Sequence, residues 1–148
     1  MLRHKLTLGA SLWVGLAASL FAQEPATEKP PGLYEGFTGY ARQVTTTSDA
    51  AQRWFNQGIQ LLYGFNHDEA IRSFEKAAEV DPSCAMAWWG SAYARGLHIN
   101  NPEMSEEQSR LAHEAAQKAL QAIDDETPVE QALIRAVGER CERQAPQE

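Results

Sequence analysis

The sequence predicts an all-α chain of five helices, and three observations carry that expectation. Apolar residues recur at three- and four-residue steps from residue 49 onward. Each recurring stretch opens on a Ser, Thr, Asp or Asn of the kind that caps helices. No convincing pair of alternating segments offers a sheet.

The chain has 148 residues, 43% of them hydrophobic, enough for a core within one domain. It carries 13 basic and 20 acidic residues, a formal charge of −7, with no run of Lys or Arg after residue 5. Nucleic acid is therefore excluded as a partner, since phosphate binding needs a basic patch.

Residues 1–22 differ in kind from the rest. Arg3, His4 and Lys5 give a positive start, Leu6 to Phe21 is uncharged, and Ala22 is a small residue before polar Gln23. This is the pattern of a secretory signal peptide, so the chain is expected to be exported, to the periplasm or beyond the cell, with no membrane segment after cleavage. The competing reading is an uncleaved anchor, because the uncharged stretch nears the length that spans a bilayer. No Cys lies near the cut to take a lipid. Loss of Arg3 and Lys5 with the signal shifts the charge from −7 to −9.

Residues 23–47, with Pro30-Pro31-Gly32, are predicted to be a flexible linker. Tyr34, Phe37 and Tyr40 within it are placed loosely against the first helix. Thr45-Thr46-Thr47 has extended character and leads to Ser48-Asp49, a good helix start. The first helix then runs from about Asp49 to Tyr63, with Gly64 as a left-handed stop. Asn66 and Glu69 propose a capping box for the second, which reaches about Val80 and buries Ala70, Ile71, Phe74, Ala77 and Ala78. Asp81-Pro82 is set to open the third, which holds Met86, Trp88, Trp89, Ala92 and Tyr93 and fades by Gly96. After a loop from Leu97 to Met104, Ser105 and Gln108 form a second capping box and open a helix to about Ile123. Thr127-Pro128-Val129-Glu130 opens the fifth, to about Cys141, and residues 143–148 form a frayed tail.

From Trp54 to Pro82, large and small apolar residues alternate at fixed steps: Trp54, Gly58, Leu61, Ala70, Phe74, Ala77 and Pro82. Trp88 follows Trp54 by 34 residues. These residues resemble the tetratricopeptide repeat, a 34-residue unit of two antiparallel helices. The first unit matches well, although Leu61 stands where an aromatic is common and Gln57 where Leu is usual. In the second, Trp88 and Ala92 keep phase, but the loop to Met104 is about eight residues too long for the repeat. Ala112, Ala116 and Ala119 stand at the equivalent steps of its second helix. The resemblance covers residues 48–142. It implies about two and a half repeats in a short right-handed α-solenoid. Phe65-Asn66-His67-Asp68-Glu69-Ala70 and Cys84-Ala85-Met86-Ala87-Trp88-Trp89-Gly90 resemble, more narrowly, a group of longer exported bacterial repeat proteins. On that resemblance the chain is the amino-terminal part of one, and an unpaired repeat end implies self-association, a cap or a missing neighbour.

Members of the repeat family bind peptides or protein segments on a concave surface formed by the first helix of each pair. Carried over by position, that surface is Gln52, Phe55, Ile59, Leu62 and Tyr63, joined by Met86, Trp89, Tyr93 and Leu97. It is an apolar wall with no Lys or Arg, suited to a hydrophobic segment or partner helix. The alternative is that the same stripe is simply core. In the implied stacking, the turns bearing His67, Asp68 and His98 share an edge, which makes these three weak candidates for a divalent metal; no His-x-x-x-His spacing supports them. The same stacking places Cys84 and Cys141 at opposite ends of parallel helices, roughly 20 Å apart at 1.5 Å per residue, so two free thiols are expected, Cys84 partly buried. There is no Gly-rich phosphate loop and no nucleophile elbow, and Glu106-Glu107 and Asp124-Asp125-Glu126 sit at helix ends. Neither enzymatic activity nor a cofactor is expected.

Overall fold

The computed structural model describes residues 32–37, 39–100 and 102–144, with backbone alone for 142–144. The expected signal peptide, the first part of the expected linker and the last four residues of the expected tail lie outside the described residues. Five helices follow in order: α1 (Asp49–Tyr63), α2 (His67–Val80), α3 (Ala85–Arg95), α4 (Glu106–Gln121) and α5 (Pro128–Gln144). None is long and apolar enough to cross a membrane.

Each helix starts where a side chain or a turn meets its free amides. The Ser48 hydroxyl accepts from Ala51 N at 3.2 Å and starts α1. Ser105 and Gln108 make both halves of the capping box on α4. Thr127 and Glu130 do the same for α5, with Thr127 N donating to the Glu130 carboxylate at 2.9 Å and Glu130 N to the Thr127 hydroxyl at 3.3 Å.

Three local expectations are corrected. Gly64 has φ −80°, and the left-handed residue that ends α1 is Phe65, with φ 60°. Phe65 N donates to Leu62 O and Asn66 N to Leu61 O, the paired bonds of a Schellman stop, which places the left-handed conformation one residue past the glycine. Asn66 makes no side-chain cap on α2. Glu69, its presumed partner, instead holds Arg72 at 2.6 Å and accepts from the Tyr34 hydroxyl at 3.1 Å. Asp81 does not cap α3 either: it closes α2, its carboxylate turns back to Ser83, and the cap position of α3 falls to Cys84.

Consecutive helices pack against each other, and α3 also meets α1 and α5. Thus α1, α3 and α5 form one contiguous layer, while α2 and α4 lie outside it and do not touch each other among the described residues. The shortest helix, α3, contacts all four others, which is why Met86, Ala87, Trp89, Ala92 and Ala94 are buried around nearly its whole circumference.

Phe74 sits at the centre. Its ring is fully buried on α2 and packs on Phe55 of α1 at 5.5 Å between centroids. A Cβ added to Gly58 of α1 would lie 2.7 Å from the ring, and one added to Gly90 of α3 would lie 2.4 Å from it. The two glycines therefore let the backbones of α1 and α3 both come up to the Cδ1–Cε1 edge of the ring. On α4 the small residues Ala112, Ala115, Ala116 and Ala119 fill the equivalent seam, and Leu120 meets Gly138 of α5. The two tryptophans in phase differ: Trp54 is core, whereas Trp88 is half exposed, donates to Pro82 O at 3.1 Å and carries the Lys118 ammonium 4.4 Å above its ring.

Cys84 and Cys141 are both free and both buried, Cys84 completely rather than in part. Burial pushes the Cys84 thiol up to about 11 and raises Cys141 as well. At about pH 8, alkylation of either thiol in the native chain is therefore expected to be at least about tenfold slower than in urea, as mass spectrometry after iodoacetamide would measure.

Gly90→Ala should destabilise the fold. The gain in helix propensity is about 1 kcal/mol, but forcing a methyl into the packed Phe74 ring costs about 1–3 kcal/mol. In a Phe74→Leu background the same change should be neutral or stabilising, a sign reversal that urea unfolding of the four variants would reveal.

Candidate functional site

The positions proposed for the concave face divide into two groups. Phe55, Ile59, Leu62, Met86 and Trp89 lie in the core. An apolar stripe on a helix with neighbours on both sides is consumed by packing, so these five are not an open wall. Tyr63 and Tyr93 remain exposed, at 61% and 42%. Gln52 and Leu97 are half-buried.

Tyr63, the last residue of α1, meets Tyr40 edge-on at 6.2 Å. Tyr93 stacks on Trp89 at 5.3 Å, and the Arg140 guanidinium stands 5.0 Å from its ring. Arg140 also donates to Leu97 O. A cation thus stands beside a face expected to have none. It comes from α5, 47 positions from Tyr93, so no local pattern reveals it.

The structure brings the predicted histidine edge together, but not as a metal site. The His67 and His98 rings stack at 3.8 Å with planes 6° apart. Lone pairs in parallel ring planes do not converge on one ion, which needs each nitrogen aimed at it from about 2.0–2.1 Å. Asp68 lines the same cleft of about 170 Å³, with Arg95 and Gln108. Among the described residues no group of three potential ligands gathers anywhere. Burial holds His98 below its ordinary value, with His67 and Arg140 adding to the effect, and its Nδ1 is enclosed without a partner.

The segment assigned to a flexible linker contains what the sequence missed. Its described residues lie hydrogen-bonded along α1. The Gln57 amide accepts from Tyr34 N at 2.7 Å and donates to Gly32 O at 3.0 Å. The Gln52 amide accepts from Val44 N at 3.0 Å and donates to Arg42 O at 2.8 Å. Each glutamine therefore bonds the main chain of two alternate residues, donating to one and accepting from the other. Asn56 accepts from Arg42 N at 3.2 Å. Val44 is buried while Gln43 is exposed.

Two carboxylates pin the far end of this strap. Glu130 of α5, itself buried, accepts from the Thr45 amide and hydroxyl, both at 2.8 Å. Asp81 accepts from the Thr46 hydroxyl. For both acids burial pushes the pKa up. Donors outweigh it: Thr127 and Thr45 at Glu130, Ser83 and Thr46 at Asp81. Both titrate below their ordinary values of 4.5 and 3.8.

A carboxyl whose folded value is depressed adds stability that is present above its unfolded value and lost as pH falls through the folded one. The urea midpoint should therefore drop between about pH 5 and about pH 3, and drop less in Glu130→Gln, where one of the two titrating clasps is gone. An identical acid slope in the two chains would show that Glu130 does not couple to folding.

The chain matches no family model, no curated protein and no solved structure.

Proposed function

We propose that the chain is an exported helical-hairpin repeat protein of the tetratricopeptide kind. It holds a segment of another protein and does no chemistry of its own. The single observation that carries this is the pair Tyr63 and Tyr93, large aromatics left exposed on α1 and α3, two neighbouring helices of one layer. Exposed tyrosines supply contact area at low entropic cost and are favoured at protein interfaces. Arg140 beside Tyr93 adds a donor fork for a main-chain carbonyl or a carboxylate of the bound segment.

Support for the repeat assignment comes from two directions. The spacing of Trp54, Gly58, Ala70, Phe74, Ala77, Pro82 and Trp88 follows the repeat signature. The contiguous layer of α1, α3 and α5, with α2 and α4 outside it, is the connectivity that stacked hairpins adopt. The partner is a peptide or helix with apolar side chains, since five core positions leave only the aromatic rim for contact.

Tyr63→Ala with Tyr93→Ala should lower retention of partner segments from a displayed peptide library by at least about tenfold. Thermal unfolding should be nearly unchanged, because both side chains are exposed. A doubly substituted chain that selects the same peptides with the same affinity would overturn the proposal.

A further inference from the structure

Residues 39–47 are held in a way that does not require them to belong to the same chain. Their contacts come from three separate places: Gln52 and Asn56 on α1, Asp81 in the turn after α2, and Glu130 on α5. Most reach the main chain. Arg42 N, Arg42 O, Val44 N and Thr45 N are all bonded to side chains of the helical body, at 2.8–3.2 Å. Side-chain groups that pair with an extended main chain recognise a strand whatever its sequence.

Selectivity comes from four side chains. Val44 is inserted into the core, and Tyr40 lies against Tyr63. Thr45 and Thr46 give their hydroxyls to Glu130 and Asp81. Both receptors are ionised carboxylates at neutral pH, so Asp or Glu at the two threonine positions would be repelled. Beside the strap lies a hollow of about 320 Å³, bounded by Thr46, Thr47, Ser83, Ala122 and Asp124 among others. The body does not close over the segment there.

We propose that the channel filled by residues 39–47 is a peptide-binding site occupied by the chain's own segment. A partner segment that is extended, with an aromatic residue, a Val four positions later and two hydroxyl residues directly after it, takes the same place. The proposal rests on the protein-binding role given above and extends that surface from Tyr63 along the strap, with a specificity of its own. The strap is then a competitor: it must leave before the partner segment enters, so apparent affinity is reduced by the fraction of chains in which the strap stays docked.

The test uses a labelled peptide with the sequence of residues 39–47. It is titrated into the full chain and into the full chain carrying Thr45→Ala and Thr46→Ala, which loosens the strap and leaves Gln52, Asp81 and Glu130 in place. The loosened chain should bind at least about tenfold more tightly, and the peptide carrying Val44→Ser should lose at least about tenfold on that chain. Equal affinity for the two chains, or equal affinity of the two peptides, overturns the proposal. Should the loosened chain lose its helical circular dichroism, the wild-type chain provides the readout. Saturating peptide should speed hydrogen exchange at the Val44 and Thr45 amides, and unchanged exchange overturns the proposal. Failure here leaves a Tyr93→Ala measurement standing, because Tyr93 lies against Trp89 and Arg140 whereas Tyr63 is shared with the strap.

Discussion

The Phe74 ring, approached along its Cδ1–Cε1 edge by both Gly58 and Gly90, is the contact on which the arrangement of the first three helices depends. A ring without free volume around it fixes where both backbones pass, because packed interiors do not yield to an added methyl. It also explains the position of α3. Once Gly90 is against Phe74, α3 lies against α2, and its remaining surface meets α1, α4 and α5. Burial nearly all round then matches both the location of the helix and its sequence, the most apolar of the five.

The second constraint is polar. Glu130 is buried and would be costly there if unpaired, yet it gathers donors from Thr45 and Thr127 and so stays ionised. In doing so it ties the segment before α1 to the start of α5. Gln57 plays the matching part at the other end of the strap. Its amide is satisfied by Gly32, Tyr34 and Ser73, leaving a buried side chain with no unmet hydrogen-bonding capacity in view. The body is therefore closed by hydrogen bonds along its edge as well as by apolar contact in its middle.

Much of this was legible because caps and spacing are local signals. Ser48, Ser105 and Thr127 each announce a helix, α1, α4 and α5, within three residues, and the bounds of α2 follow from the apolar rhythm alone. The glycine–aromatic alternation announced that backbones would approach at Gly58 and Phe74. What escaped was whatever depends on partners far away in the chain. Asn66 and Asp81 look like caps by type, but Glu69 is drawn to Arg72 and Tyr34, and Asp81 to Ser83 and Thr46. The expected groove was lost for the same reason, since exposure is decided by neighbours and not by the stripe itself. One clue to the strap was present: Gln57 occupies a position where the repeat pattern prefers Leu, and that departure marks the side chain that holds Gly32 and Tyr34.

The strap also sets an order of events during folding. Most of the body is made of neighbouring helices, whose contacts close over short loops and form quickly. The bond from Thr45 to Glu130 spans 85 residues. When synthesis proceeds from the amino end, the strap is among the earliest described residues made, yet its anchor on α5 is among the last. Through that interval its main chain can pair with Gln52, Asn56 and Gln57 of α1, while the Thr45 amide waits for Glu130. The clasp at Glu130 therefore closes only once α5 is in place, and it ties the start of the described chain to its end.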